Sequence, residues 1–321
     1  MTVSTLGQQM AMASYVGRVQ TQLADNQLRM ASGKVSETYS GLGASAGMSI
    51  SMNNRIAQME QYRATISVVD ARAEYMDVSM RRVFDTATDV RTEIMASTSE
   101  GYDLTLLRRR ADDAIQEVVG ALNGSLNGRY LFAGHRIDNA PMADSTTVKG
   151  LVAAAIVPGD PATTITNIDA VFATSTNFYQ GDNGAVSARI DVNTQVSYGV
   201  TGDDPAFNDI AKGLYVLAVL DPTTTPPAEY DQLRDWAMAS ISQGEYGVNN
   251  LVAQNGLTRN TLESVDDTHA AVTVTMKSYV SNIEDADMYE TINRVTMLQT
   301  QLQSSFMMTA RLSEMSLANY L

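Results

Sequence analysis

A long one-sided stripe of apolar residues in each half of the chain limits the possible folds more than any other feature. From Met52 to Ile94, apolar side chains recur at alternating three- and four-residue steps over about 40 residues, which predicts one long helix. The same alternation runs from Val248 to Ile283. Each stripe needs a partner of similar length, and only the opposite half of the sequence supplies one. We therefore predict that the beginning and the end of the chain lie side by side.

The second long stripe contains polar residues, namely Asn255, Thr258 and His269. Polar side chains at such positions fix the register of packed helices at some cost in stability. We expect His269 to be a seam residue with a hydrogen-bond partner and to have no catalytic role.

The two terminal segments are also amphipathic, but they are more polar. Their apolar positions are Val16, Val19, Leu23, Met30, Ile292, Val295, Leu298, Leu302, Phe306, Leu312 and Met315. A thin pair of such helices buries too little apolar surface to offset the loss of chain entropy. We hypothesise that these positions form an assembly interface, and that the terminal segments order fully only when neighbouring copies cover their remaining faces.

The middle of the chain has a different composition, rich in Thr, Gly, Asp and Pro. Alternating residues 186–192 and 196–200 predict a β-hairpin. Asp204-Pro205 is typical of a helix N-cap followed by a first-turn proline. The predicted fold is mainly α: a long antiparallel helical bundle, or rod, built from both termini, with a small β-rich domain at its far end. The expected domains are a terminal assembly region (1–50 and 285–321), a long-helix bundle (51–134 and 228–284) and a β-rich outer domain (135–227).

The composition argues against an enzyme, a cofactor site and a metal site. The chain has no cysteine and two histidines, so a nucleophile and base pair would have to use His135 or His269. Its acidic clusters lack the spacing of a calcium loop. A formal net charge of −14 opposes nucleic-acid binding, and Arg108-Arg109-Arg110 is interpreted as a solvated helix face. Many of the 18 methionines fall on the seams, among them Met52, Met59, Met76, Met80 and Met276, and we interpret them as packing residues.

The first residues, MTVSTLGQQMAMASYVGRVQ, lack the basic and apolar regions of a cleaved secretory signal. Nowhere do about 20 apolar residues run together, so we expect no membrane insertion.

Several short segments carry a family resemblance. Arg29 to Lys34 (RMASGK) and Asp285 to Met288 (DADM), together with the layout, resemble bacterial flagellins. The run NGRYLFAG contains Asn127, Gly128, Arg129, Tyr130, Phe132 and Gly134. With Ala140-Pro141 and the run Phe178 to Asp182 (FYQGD), it resembles the hook-associated protein 3 branch, the junction proteins between the flagellar hook and filament.

The resemblance implies a structural, secreted protein of the bacterial flagellum, exported by the flagellar type III apparatus. Its implied partners are further copies of itself in a ring or tube, the first hook-associated protein, flagellin and an export chaperone. Two alternatives stay open. One is a filament flagellin, and the other is a coiled-coil adhesin or binding module whose β insert holds a ligand.

Overall fold

Helices make up most of the chain that the computed structural model describes, which comprises residues 5–184 and 186–314. The helices are α1 (Thr5–Ser32), α2 (Ala46–Ala96), α3 (Leu104–Leu122), α4 (Ser145–Ala155), α5 (Pro161–Ala173), α6 (Ser175–Phe178), α7 (Pro205–Val219), α8 (Pro227–Glu284) and α9 (Met288–Glu314). A 3₁₀-helix, Tyr39–Ser45, precedes α2. The strands are β1 (Ser125–Leu126), β2 (Arg129–Tyr130), β3 (Ser187–Arg189) and β4 (Gln195–Ser197). The prediction of a mainly α fold is confirmed.

Side-chain caps explain where several helices begin. Asp103 accepts a hydrogen bond from the backbone N–H of Thr105 at the start of α3. Asp204 does the same for Ala206 at the start of α7, and Pro205 occupies the first turn, as predicted. Such caps satisfy backbone donors that have no partner inside the helix.

The chain divides into two compact units, Met1–Glu60 with Ala270–Leu321, and Gln61–His269. Helices α2 and α8 contribute residues to both units. In the first, called the terminal unit below, α1 packs against α9, and the bridge between Lys34 and Asp285 places the end of α1 beside the start of α9. These two helices therefore run antiparallel. The sequence predicted three segments, whereas the packing separates two units.

The second unit holds a large apolar core. Helix α7 lies on α3 and α4, and its buried face is apolar over most of its length. The largest fully buried side chains of this core include Phe132, Phe207, Tyr215, Tyr230, Met76, Met80, Ile94, Leu107, Ile115, Leu122 and Ile168. The helices that surround them share one continuous cluster of buried side chains, so this unit has a core of its own.

The hairpin β3–β4 packs on α2 and α8 within the second unit. It is antiparallel, with Ala188 opposite Val196, as the alternation predicts. Its Ile190 is fully buried beside Ile66 and Leu262. The Nε2 atom of His269 lies 2.8 Å from the carbonyl oxygen of Ile190, which confirms the expected hydrogen-bond partner.

Asn255 is one of the three polar residues that the sequence places in the long seam. It is buried and donates from Nδ2 to the carbonyl oxygen of Ala73 at 2.8 Å. A buried donor is costly without its acceptor, so this bond favours one register of α2 against α8 in this unit.

The expectation that segment 135–227 is β-rich is wrong. The described residues of this segment form α4, α5, α6 and α7, and the strands β3 and β4 have three residues each. Small and β-branched residues suggested loops and strands, but Asp144 and Asp160 cap α4 and α5 and their apolar faces are buried. Asp160-Pro161 repeats the cap and proline signal of Asp204-Pro205, so that signal was present in the sequence.

The three consecutive arginines are not simply a solvated face. The Nε atom of Arg108 donates to the carbonyl oxygen of Ala218 at 3.1 Å, and its Nη1 atom lies 3.3 Å from a carboxylate oxygen of Asp221. Arg110 pairs with Asp89 at 3.1 Å. Two of these side chains therefore tie α3 to neighbouring elements.

Candidate assembly surface

The seam between α1 and α9 accounts for part of the predicted assembly stripe. Val19, Val295 and Leu298 are 3%, 6% and 5% exposed, so this one chain already buries them. Val16, Leu23 and Leu302 are half-buried. Val16 and Leu23 follow the helical spacing of Val19, and Leu302 follows that of Leu298, so they belong to the same faces. These six positions stabilise the pairing of the two terminal helices.

Three other predicted positions lie on the surface of the same helices. Met30, Ile292 and Phe306 are 39%, 48% and 50% exposed. The side chain of Leu312 and the whole of Met315 lie outside the residues that the structure describes. The predicted stripe thus divides into an internal seam and an exposed group.

Further exposed apolar side chains were missed by the sequence reading. They lie on α1 and α9 at Met10, Tyr15, Leu28, Met288, Tyr289, Met297, Met307 and Met308. The predicted stripe covers one face of each helix, but apolar residues occur on several sides of α9. Met297 and Met308 stand about three helical turns apart and share a face, a second periodicity that could have revealed them. Larger groups of exposed apolar side chains are typical of interaction surfaces.

A polar cluster centred on Glu284 joins the ends of α1, α2 and α8 in the terminal unit. Glu284 accepts hydrogen bonds from the Ser49 hydroxyl and from Nδ2 of Asn53, the second at 3.2 Å. Its other carboxylate oxygen lies 3.0 Å from the Lys34 ammonium. Two backbone bonds reinforce the junction, from Val35 N–H to the Glu284 carbonyl at 2.7 Å and from Ala286 N–H to the Gly33 carbonyl at 2.8 Å.

This cluster shifts the titration of its charged members. The hydrogen bond from Ser49, followed by that from Lys34, lowers the pKa of the Glu284 carboxyl. The hydrogen bond to Glu284 raises the pKa of the exposed Lys34 ammonium. Both shifts favour the charged pair in the folded terminal unit.

The three segments that resemble hook-associated protein 3 meet in the second unit. The N–H of Gln180 donates to the carbonyl of Pro141 at 2.7 Å, and the N–H of Asp182 donates to the carbonyl of Ala133 at 3.2 Å. The Tyr179 hydroxyl lies 3.1 Å from the carbonyl oxygen of Phe132 and is largely buried. Residues far apart in the sequence therefore form one hydrogen-bonded scaffold.

Each part of the NGRYLFAG run has an identifiable role in this scaffold. Asn127 and Gly128, both with positive φ, form the tight turn between β1 and β2. Tyr130 is half-buried and Arg129 is exposed. Phe132 is fully buried with its ring edge-on to Phe207 at 5.9 Å. The run therefore has a structural role. Apart from Arg129 and the turn, its residues are buried or half-buried.

The Gly134 position requires glycine. Its φ is 64°, and a Cβ atom there would lie 2.0 Å from the carbonyl oxygen of Asp182. The carboxylate of Asp182 accepts the backbone N–H of His135 at 2.8 Å, and this bond, followed by that from Gly184, lowers the pKa of Asp182.

Conspicuous charged side chains in the long-helix region pair with each other. Arg63 binds Asp266 through two hydrogen bonds of 2.9 and 3.0 Å, and Arg259 pairs with Asp70 at 2.9 Å. Within residues 5–184 and 186–314, no group of three or more acidic or histidine residues is placed to hold a metal ion. In the same ranges, each helix is either too short or too polar to cross a bilayer.

Replacing Glu284 with Gln is expected to loosen the terminal unit. The variant keeps the shape of the side chain but loses its charge. We expect this to lower the free energy of opening of the terminal unit by about 1–2 kcal/mol. Hydrogen exchange of residues 33–53 and 284–291 at pH 7 should become about 5–30-fold faster. Because folding lowers the pKa of Glu284, its stabilisation is present above the ordinary Glu value of about 4.3 and is lost as the pH falls through the folded-state pKa. The two proteins should therefore converge in acid.

The matched control is Glu290→Gln, since Glu290 makes an exposed pair with Arg294 on α9. This change should alter exchange by less than about threefold. Equal effects of the two substitutions would contradict the role given to Glu284.

Replacing Gly134 with Ala should lower the free energy of unfolding of the second unit by about 1–3 kcal/mol, because its Cβ meets backbone at a left-handed position. Gly150 lies inside α4 with open space around its missing Cβ. Gly150→Ala should raise the same quantity by about 0.5–1 kcal/mol. Denaturant unfolding measures both, and a loss at Gly150 or no loss at Gly134 would refute the geometry.

Comparisons with known proteins agree with this arrangement. Residues 3–136 match the model of the bacterial flagellin N-terminal helical region, and residues 238–321 match that of the C-terminal helical region. Flagellar hook-associated protein 3 of Escherichia coli (strain K12) is 24% identical over 202 residues, which cover 56% of this chain and 54% of the relative. The chain thus matches about half the length of this curated relative.

Solved structures show the same fold. The crystal structure of Bacillus cereus FlgL is similar with a TM-score of 0.54 at 17% identity, over 72% of this chain and 99% of that one. Xanthomonas campestris FlgL gives a TM-score of 0.55 at 12% identity, again over 72% and 99%. Together the two family models match most of the sequence, at the segments that form the terminal unit and much of the long helices. The chain therefore belongs to the bacterial flagellin family.

Proposed function

We propose that this chain is a structural subunit of the bacterial flagellum that forms the junction between the hook and the filament. The observation that carries the proposal is the exposed apolar surface of α1 and α9. Large apolar side chains stay in contact with water on these helices even though their seam is closed. Burial of apolar surface contributes about 25 cal/mol per Å², so covering these side chains with a neighbouring chain provides a driving force for assembly.

The junction position rests on likeness to named relatives. The curated relative is called hook-associated protein 3, and the two solved neighbours are called FlgL. The segments that resemble this branch converge in one scaffold through the bonds of Ala133, Pro141 and Tyr179. This supports a role at the junction over a role as the filament subunit.

The proposed partners follow from that position. The terminal helices bind further copies of the chain in a ring or tube, the first hook-associated protein on one side and flagellin on the other. Such head-to-tail contacts are heterologous and continue until a different subunit ends them. Before assembly, an export chaperone covers the terminal segments, and the protein leaves the cell through the flagellar export apparatus to reach the junction.

In this proposal, residues 1–50 and 285–321 form the assembly contacts, and the remaining segments support them. Among the described residues, the terminal helices of a free subunit are held by their own seam and by the Glu284 cluster. We infer that they complete their ordering in the assembled layer. The chain acts by assembly and not by catalysis, in keeping with the structural role of flagellin-family proteins.

Deleting the gene and examining the cells tests the junction role. The expected result is hooks without attached filaments, with flagellin released into the medium. Normal filaments would contradict the proposal. Intact hooks and junctions with no flagellin in any fraction would favour the alternative of a filament subunit, and unaffected motility would favour an adhesin or binding module.

Polar substitution of the exposed apolar positions tests the surface itself. The double variant Ile292→Ser and Phe306→Ser should leave the second unit's unfolding unchanged and lower filament attachment at least tenfold in the deletion strain. A tenfold loss corresponds to about 1.4 kcal/mol of binding free energy. Electron microscopy of cells gives the count of attached filaments.

A matched control uses apolar residues outside the terminal unit that are even more exposed. Tyr246 and Leu257 on α8 are 67% and 66% exposed. The double variant Tyr246→Ser and Leu257→Ser should support normal attachment. If the control fails as severely as the terminal variant, the assembly surface is wrongly placed.

A further inference from the structure

Methionine is concentrated on the exposed surface of the terminal helices. The chain has 18 methionines and no cysteine, so thioethers are its only sulfur groups. On α9, Met297, Met307 and Met308 are 56%, 61% and 61% exposed. Met10 on α1 is 64% exposed. These side chains are not explained by the seam, which uses Val19, Val295 and Leu298.

Several methionines elsewhere in the chain are buried, whereas Met48 and Met95 on α2 are 58% and 44% exposed. In the second unit, Met76, Met80 and Met142 are 1%, 0% and 4% exposed, and in the terminal unit Met59 is 3% exposed. Their sulfur atoms are shielded from solutes by the packed core. The interpretation of Met59, Met76 and Met80 as packing residues of the seams agrees with their burial, whereas the methionines on the surface of α9 do not fill a seam within this chain.

We propose that Met297, Met307 and Met308 form an oxidation site, and that their conversion to methionine sulfoxide by hydrogen peroxide blocks assembly of the subunit. In the reaction, the thioether sulfur attacks one peroxide oxygen, an S–O bond forms and the O–O bond breaks. Sulfur is oxidised by two electrons and the peroxide is reduced to water. Reactivity follows the exposure of the sulfur, so these residues react before the buried ones.

The chemical change explains the effect on assembly. A sulfoxide carries a strong hydrogen-bond acceptor where the thioether was apolar. Met297 and Met308 share one face of α9, so both would enter the same contact with a neighbouring chain. Burying these acceptors without donors is costly, and two of them should weaken assembly about tenfold or more. The effect of oxidation on assembly rests on the proposed function, whereas the order of reaction does not.

Mass spectrometry combined with an assembly assay tests the proposal. The purified full-length protein is treated with hydrogen peroxide, sulfoxides are mapped on peptides, and the protein is added to cells that lack the gene to count new filaments. Met297, Met307 and Met308 should oxidise at least tenfold faster than Met76 and Met80, and the treated protein should restore at least tenfold fewer filaments. Treatment with methionine sulfoxide reductases should return the activity.

Two leucine variants separate the site from general damage. Leucine is close to methionine in volume and cannot form a sulfoxide. The variant Met297→Leu, Met307→Leu and Met308→Leu should keep its activity after peroxide, whereas the buried control Met76→Leu and Met80→Leu should lose it as the unchanged protein does.

The outcomes distinguish this inference from the proposed function. Equal oxidation of surface and buried methionines, full activity of the oxidised protein, or equal inhibition of the surface leucine variant would each overturn the oxidation site. Untreated protein that restores no filaments would count against the proposed function, and the sulfoxide map would still decide whether the site exists.

Discussion

The fold depends on packing between the two ends of the sequence, because each end carries an apolar stripe that requires a partner helix. In the terminal unit this need is met by the antiparallel contact of α1 with α9, which buries Val19, Val295 and Leu298. A contact between two helices covers only one face of each. The seam therefore holds the terminal helices together and at the same time leaves their other apolar side chains in water. The exposure of methionine on α9 is part of this incomplete burial, and the proposed assembly rests on it.

Different interactions stabilise the fold of each unit. The second unit has a continuous core around residues such as Phe132 and Phe207, with caps at its helix ends and a scaffold fixed by the Tyr179 hydroxyl. The terminal unit depends on a narrow seam and on the polar cluster of Glu284, Lys34 and Ser49. We expect local opening to be easier in the terminal unit, since it has fewer buried apolar contacts per residue. Such a division is consistent with the proposed assembly through the terminal helices.

Much of this arrangement follows from sequence periodicity, and the remainder depends on tertiary contacts. The long stripes predict α2 and α8, and the polar positions Asn255 and His269 find their partners in the structure. Helix α7 was predicted from Asp204-Pro205. Helices α4, α5 and α6 were missed because small and β-branched residues mask a helical pattern until a core covers it, although Asp160-Pro161 carried the needed signal. The sequence does not divide the assembly stripe into buried and exposed positions. Val295 and Phe306 are both apolar residues of the stripe, but only the structure shows that Val295 is buried and Phe306 is exposed.

Hydrogen exchange of the protein, in dilute solution and after assembly into the proposed ring or tube, tests the central claim most directly. Incomplete burial predicts fast exchange of α1 and α9 amides in the free subunit, slow exchange of the α3 and α7 core, and a rise in protection of at least tenfold in α1 and α9 on assembly. Terminal amides that are already as protected as the core in the free subunit, with no change on assembly, would contradict the account.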